Sequence, residues 1–292
     1  MKTMLIPTDF SPAANNAAHY AFQLGKSIKA SLKLCYAVTL PVEASMGQQV
    51  AWPLMDYSSL QKEGKEELRK LSVELETKNS SVVPDAIEQP PVHYTAEIGT
   101  LTEVVKQQLN KEKANMVVMG TSGAGALSRF FLGSSSRELM DHADFPILLV
   151  PPGAEFQGIK KIAFATDLSG GDIELIHSLS LFARLFNAEI LIVHVSPAGF
   201  DSDVHQDKID AFLNEVTCKV NYPKIYYRHV KDMGVDEGLN WLTQHVAIDL
   251  LAMVHRRHHF MQRIFEGSRT KKMAGHLKLP LLIFPSESPI FL

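Results

Sequence analysis

The sequence predicts an α/β protein built from two similar halves, each a parallel sheet with helices on both faces. Short apolar runs alternate along the chain with segments whose apolar residues recur at helical spacing. The same pattern begins again after residues 151–154, which makes the halves a tandem repeat. The length of 292 residues is that of about two domains. We expect the domains to cover 1–152 and 157–292.

The first half begins with an apolar strand that ends in Pro-Thr-Asp-Phe-Ser. Ser11 then suits the cap of a helix, and Pro12 suits its first position. The mixed-sign charges of a later helix indicate a solvated face. The predicted elements of this half are strands at 2–8, 32–38, 92–98, 116–120 and 146–150, and helices from 12, at 60–78, at 101–111 and from 135.

The second half repeats the first segment by segment. The corresponding pairs are 162–169 with 4–11, 188–195 with 30–37, 249–254 with 115–120, 267–268 with 133–134, and 280–283 with 146–149. The second half lacks most of an irregular insertion at 41–57. Trp52, Met55 and Tyr57 make that insertion a candidate contact surface, since such side chains are common in protein interfaces; a loop that packs on its own domain is the alternative.

Composition excludes several classes of protein. A hydrophobic content of 46% with 21% charged residues is ordinary for a soluble globular chain. The net charge of -3 gives no basic field for nucleic acid or an anionic membrane, and no apolar run approaches the roughly 20 residues that span a bilayer. The first residues lack the pattern of a signal peptide. Cys35 and Cys218 form no disulfide framework and fit a reducing compartment, so we expect a cytoplasmic protein.

A glycine-bearing loop follows the apolar run 116–119. Gly120, Gly123 and Gly133 are spaced as Gly-x-x-Gly, nine residues and then Gly-Ser. Glycines let backbone N–H groups approach an anion closely, and the start of a helix attracts phosphate. The motif is neither a Walker loop, which needs a lysine, nor the dinucleotide Gly-x-Gly-x-x-Gly. A tight turn without a ligand is the alternative.

The Pro-Thr-Asp-Phe-Ser strand end, this glycine motif and the closing Pro-Ile-Leu-Leu-Val strand resemble the universal stress protein (UspA-like) family. The two halves together resemble its tandem members. The resemblance implies that each half is a doubly wound, five-stranded parallel sheet in the order 3-2-1-4-5. It also implies that the halves pair through their last strands, 146–150 and 280–284, as an intrachain pseudo-dimer. The same resemblance allows a homodimer of two chains.

In that order, strands 1 and 4 are neighbours at a topological switch point, where open α/β sheets bind ligands. Asp9 could accept a hydrogen bond from a ribose hydroxyl or the adenine amine, although Asp also suits a turn or a helix entry. By resemblance, Ala37 lies against the adenine. The candidate nucleotide-binding residues are Asp9, Ala37, Gly120, Gly123, Gly133, Ser134 and Ser135. The implied ligand is ATP, or AMP or ADP, with or without Mg²⁺.

The second half departs from this motif. Val254 and Arg257 hold the places of Gly120 and Gly123, and their side chains should keep backbone amides away from a phosphate. Asp167 is retained. The sequence therefore predicts a degenerate second site and one nucleotide per chain.

Other polar groups of the second half leave alternatives open. Arg256 and Arg257 could bind a phosphate or a carboxylate by side chain. The histidines at 255, 258 and 259 invite a metal hypothesis, but no ligand set with zinc spacing accompanies them, and a solvated basic loop is the alternative. Residues 169–172 look like the phosphate loop of ATP pyrophosphatases. Ser169 as a helix cap with Asp172 in the first turn is the simpler interpretation.

Catalytic patterns are scarce, and scattered histidines such as His194 suit a core or rim position better than a general base.

The sequence supports three hypotheses of function. The first hypothesis is a nucleotide-binding sensor or regulator. The second is slow ATP hydrolysis or phosphoryl transfer, although no P-loop lysine or arginine finger is evident. The third is a scaffold that holds a protein or another small molecule.

Overall fold

A computed structural model describes residues 3–39, 57–78, 89–121, 134–197, 199, 203–256 and 279–285. The elements of the first half are β1 Thr3–Pro7, α1 Pro12–Ile28, β2 Ser31–Val38, α2 Tyr57–Lys78, β3 Val92–Ile98, α3 Leu101–Glu112, β4 Met116–Gly120, α4 Ser134–Asp141 and β5 Ile147–Val150. Those of the second half are β6 Lys161–Thr166, α5 Asp172–Phe186, β7 Glu189–Val195, α6 Asp203–Lys219, β8 Ile225–Val230, α7 Val235–His245, β9 Leu250–His255 and β10 Leu281–Pro285. The predicted α/β class is confirmed. The insertion at 41–57 lies outside the described residues except for Tyr57.

The strands of the described residues join one ten-stranded sheet in the order β3-β2-β1-β4-β5-β10-β9-β6-β7-β8. Each half therefore has the expected order 3-2-1-4-5, and its strands pair in parallel. The two halves meet where β5 and β10 pair antiparallel, with Leu148 opposite Leu282. This pairing covers two strand edges that would otherwise present unpaired backbone groups.

The sheet separates two apolar clusters, because successive side chains of a strand point to opposite faces. On β1, Met4 and Ile6 belong to one buried cluster and Leu5 to the other. Each cluster contains residues of both halves. The core therefore continues across the β5–β10 pair rather than ending at it.

Helix starts follow the local chemistry of the chain. Ser11 accepts a hydrogen bond from Ala14 N at 3.2 Å, and Pro12 opens α1, as predicted. Thr100 and Glu103 form a reciprocal capping box at the start of α3.

Over the described part of the chain, no helix is both long enough and apolar enough to cross a membrane.

Candidate functional site

The candidate crevice of the first half lies where β1 and β4 end side by side. Met4 is opposite Met116 and Leu5 opposite Val117 in this parallel pair. Gly120 is the last residue of β4, and Asp9 follows β1 by two residues. Their register brings Asp9 and Gly120 to the same edge of the sheet. This edge is the switch point, because β1 continues to β2 on one side and β4 to β5 on the other.

A tight turn fixes Asp9 between β1 and α1. The Thr8 hydroxyl oxygen accepts a hydrogen bond from Phe10 N, and Asp9 Oδ1 accepts one from Ser11 N, both at 3.0 Å. Phe10 has a φ of 62°, which is uncommon for a residue other than glycine. Asp9 remains exposed. The turn role that the sequence left open for Asp9 is therefore present, and it uses Oδ1.

Gly120 has a packing reason to be glycine. A Cβ atom at this position would lie 2.3 Å from the carbonyl oxygen of Ala13 in the first turn of α1. Such a distance is far inside van der Waals contact, and the obstructing atom belongs to the backbone. Gly120 thus lets the start of α1 lie directly against the end of β4. Its presence in the motif does not depend on a ligand.

Of the other predicted site residues, some are described by the structure and some are not. Ala37 is half-buried near the end of β2, opposite Glu97 of β3. Ser134 and Ser135 open α4, where the first backbone N–H groups of a helix have no partner within the helix. Gly123 and Gly133 lie outside the described residues.

The second half repeats the turn of the first. The Thr166 hydroxyl oxygen accepts from Leu168 N at 2.8 Å, and Asp167 Oδ1 accepts from Ser169 N at 3.1 Å. Leu168 has a φ of 63°, close to that of Phe10. The conserved spacing of the two segments therefore produces the same backbone conformation around both aspartates.

Val254 occupies the position of Gly120, as the sequence predicted. Ile162 is opposite Leu250, as Met4 is opposite Met116, and the same count along both strands reaches Val254. Its side chain is buried. Because α5 begins six residues after Thr166, whereas α1 begins four after Thr8, the helix start does not occupy the same space in the second half.

Arg256 closes the crevice of the second half. Its Nη1 donates to a carboxylate oxygen of Asp167 and to the hydroxyl oxygen of Ser169, the latter at 2.7 Å. Its Nη2 donates to Asp172, whose other carboxylate oxygen accepts from the Thr166 hydroxyl at 2.6 Å. One guanidinium thus joins the turn after β6 to the first residue of α5.

This network corrects one interpretation of the sequence and specifies another. Ser169 does not cap α5; the helix follows Gly171 without a side-chain cap, because Arg256 engages both the Ser169 hydroxyl and the Asp172 carboxylate. The sequence allows Arg256 to bind a phosphate or a carboxylate, and the carboxylates that it binds are those of Asp167 and Asp172. Sequence spacing gave no indication of this pairing.

The two carboxylates respond differently to the shared cation. Burial alone would raise the pKa of Asp167, but hydrogen bonds from Arg256 and Ser169 lower it below its ordinary value. Burial raises the pKa of Asp172, and the Thr166 hydroxyl and Arg256 only partly oppose the rise. The side chain of Asp172 is 1% exposed and that of Asp167 is 62% exposed. Arg256 therefore compensates a buried charge at Asp172 and a solvated one at Asp167.

The loop that carries the histidines at 255, 258 and 259 begins where the second half contacts the first. His255 Nε2 lies 3.5 Å from Asp141 Oδ1 at the end of α4, and the His255 side chain is 12% exposed. This contact gives His255 a carboxylate neighbour in the first half. Arg257, His258 and His259 lie outside the described residues.

These features define a class of protein: two doubly wound α/β domains in tandem, joined through their last strands, with a switch-point crevice in each. The model of the Universal stress protein family matches residues 1–151 and 158–285. The chain belongs to the universal stress protein family.

Known proteins resemble the chain both in part and over its whole length. A universal stress protein of Synechocystis is 22% identical over 301 residues, which cover 97% of this chain and 100% of that protein. One of Methanocaldococcus jannaschii is 28% identical over 149 residues, 51% of this chain and 81% of that protein. The crystal structure of a universal stress protein from Archaeoglobus fulgidus has a TM-score of 0.65 at 14% identity and covers 97% of this chain and 96% of its own. That likeness shows the fold.

Proposed function

We propose that this universal stress protein binds one adenine nucleotide, ATP or AMP or ADP, at the switch point of its first half. Binding serves a sensing or regulatory function in the cytoplasm. The free thiols of Cys35 and Cys218 are compatible with that reducing compartment.

The proposal rests on a difference between the turn at Asp9 and the otherwise similar turn at Asp167. Asp9 and Asp167 both accept a hydrogen bond from the serine two residues later. Asp167 is also bound by Arg256. Within the described residues, no cationic side chain pairs with Asp9. A carboxylate in that position can accept a hydrogen bond from a hydroxyl or amine of a ligand, whereas a guanidinium-bound carboxylate already has its donor.

The residues of the first half suit a nucleotide in their chemistry. Ser134 and Ser135 begin α4, and a helix start favours negative charge through its unpaired N–H groups and its dipole. Gly123 and Gly133, which carry no side chain, suit a loop that approaches phosphate. Ala37, near the end of β2, would present backbone and a small side chain to the base. The ribose or the adenine amine would bond to Asp9.

The proposal is tested by denaturing the purified protein, identifying any released nucleotide, and titrating ligand-free protein calorimetrically with ATP and Mg²⁺. We expect one nucleotide per chain. Gly123→Val should abolish binding, since a branched side chain would stand where the phosphate approaches. Gly170→Val in the second half is the matched control, because a Cβ atom there meets no atom within 4 Å. No released nucleotide together with no binding at millimolar ATP would exclude the proposal.

A further inference from the structure

Three histidines of the second half converge at the carboxyl ends of β7 and β8. His194 of β7 lies opposite His229 of β8 in the parallel register, and His205 comes from the first turn of α6. One ring nitrogen of each lies within 4.8 Å of the corresponding nitrogens of the other two. His194 is buried, and His205 and His229 are half-buried. We call this group the His194 cluster.

We propose that the His194 cluster binds one divalent transition-metal ion, with Zn²⁺ the best chemical match. Imidazole nitrogen is a preferred ligand for zinc and its neighbours in the first transition series. Two nitrogens that each lie about 2.0–2.1 Å from a tetrahedral zinc ion are about 3.4 Å apart. The Nε2 atoms of His194 and His205 are 3.3 Å apart. Three imidazoles also leave one tetrahedral position for water or an anion.

The surroundings orient two of the rings. His194 Nδ1 lies 3.0 Å from the carbonyl oxygen of Thr166, which can only accept a hydrogen bond. The proton is therefore on Nδ1, and the Nε2 lone pair points to His205. A histidine ligand of a metal commonly donates its second ring N–H in this way. The hydroxyl of Ser196, the residue directly after β7, lies 2.7 Å from His229 Nε2 and helps to orient that ring.

The three imidazole rings lie close together and are tilted relative to one another. The ring centroids are 5.1, 5.3 and 5.7 Å apart, and the planes are tilted by 41°, 34° and 49°. None of the three pairs is a parallel stack, and the convergence of the ring nitrogens is shown by their mutual distances, all within 4.8 Å. The three residues come from two strands and a helix, so the cluster is not a product of local chain geometry.

The first half contains no equivalent of two of these ligands. The register of β6 with β7 matches that of β1 with β2, which places Tyr36 at the position of His194. Ala96 is opposite Tyr36 and so corresponds to His229. The proposed metal site therefore belongs to the second half alone, and it is independent of the nucleotide site proposed for the first half.

The test uses the full-length chain without a polyhistidine tag, freed of metal by chelation and dialysis. Titration with Zn²⁺ against a chromophoric chelator should give one ion per chain, and Co²⁺ should produce the intense visible absorption of a four-coordinate ion. His194→Ala, His205→Ala and His229→Ala should each weaken binding by about 10-fold or more. Because His205 belongs to the first turn of α6, whereas His194 and His229 belong to strands, His205→Ala is the variant that should least disturb the sheet.

Two control variants locate the bound ion. His142→Ala removes an exposed histidine of the first half, whose Nδ1 lies 2.9 Å from the carbonyl oxygen of Glu138, and it should leave binding unchanged. The double variant His258→Ala/His259→Ala removes the other histidine group of the second half, and it should also leave binding unchanged. If wild-type protein binds neither ion at micromolar concentration, the proposal is overturned. It is equally overturned if only the double variant loses the ion.

Discussion

Arg256 donates a hydrogen bond from Nη2 to the buried carboxylate of Asp172, 84 residues earlier in the chain. The same guanidinium bonds to Asp167, the counterpart of Asp9. The second half therefore keeps the acidic turn of the fold but satisfies it internally. Asp167, which could have bonded to a ligand, instead accepts a hydrogen bond from Arg256. The same guanidinium connects the end of β9 to the start of α5.

The first prediction concerns the stability of this connection. Arg256→Met should lower the free energy of unfolding by about 1–3 kcal/mol, because it leaves Asp172 buried without its charged donor. The partial exposure of Arg256, 32%, keeps the expected loss below that of a fully buried pair. Arg69→Met is the matched control. It breaks an exposed ion pair with Glu66 and should change stability little. Urea unfolding of both variants gives the comparison.

The second prediction gives the pH dependence of that loss. Burial already raises the pKa of Asp172, and removal of Arg256 should raise it further. A folded-state pKa above the unfolded value means that the folded protein binds more protons between the two values, so stability falls as pH rises through that window. The loss caused by Arg256→Met should therefore be smaller at about pH 4 than at pH 7. An equal loss at both pH values would show that Asp172 is not the group left uncompensated.

The third prediction compares the two aspartates. Asp9→Ala should weaken nucleotide binding by about 1–3 kcal/mol, the scale of a hydrogen bond to a charged group. Asp167→Ala should leave binding nearly unchanged. Both substitutions remove the acceptor of the equivalent turn bond, so Asp167→Ala is the matched control for Asp9→Ala. Calorimetric titration that gave two equivalent sites per chain, or equal sensitivity to the two variants, would contradict the proposed asymmetry.

The fourth prediction concerns Gly120. Gly120→Ala should destabilise the chain by about 1–3 kcal/mol, the usual cost of overpacking, because the added Cβ atom meets the Ala13 backbone at 2.3 Å. Gly170→Ala is the control, since a Cβ atom there meets nothing within 4 Å. Thermal or urea unfolding in the absence of nucleotide separates this packing effect from any effect on binding. A Gly120→Ala protein as stable as wild type would show that the start of α1 can shift.

The fifth prediction concerns the junction of the halves. Expressed alone, residues 1–155 should self-associate, because removal of β10 exposes the edge of β5. Leu148, which lies opposite Leu282, is 2% exposed in the full chain and would become accessible. Sedimentation of the fragment and of the full chain at matched concentrations gives the comparison. A monomeric, folded fragment would show that the first half does not need a partner strand.

Much of the fold could be predicted from the sequence because its determinants are local. The strands at 92–98 and 116–120 have the predicted bounds, since a short apolar or alternating run between turn residues indicates a strand. Ser11 and Pro12 mark a helix start by their own backbone and side-chain chemistry. The tandem repeat indicated the position of Val254, because corresponding residues of similar halves take the same place in the sheet. The resemblance to a family supplied the strand order, which periodicity alone does not determine.

The sequence by itself determined the α/β class, the two halves and the loss of the glycines from the second loop. Only the tertiary structure decided that Arg256 binds Asp167 and Asp172, since these residues meet through the pairing of β6 with β9. The same holds for the His194 cluster, in which His194 and His229 become neighbours only through the register of β7 and β8. Side-chain contacts between distant segments depend on register and helix position, and a one-residue change in either would separate these groups.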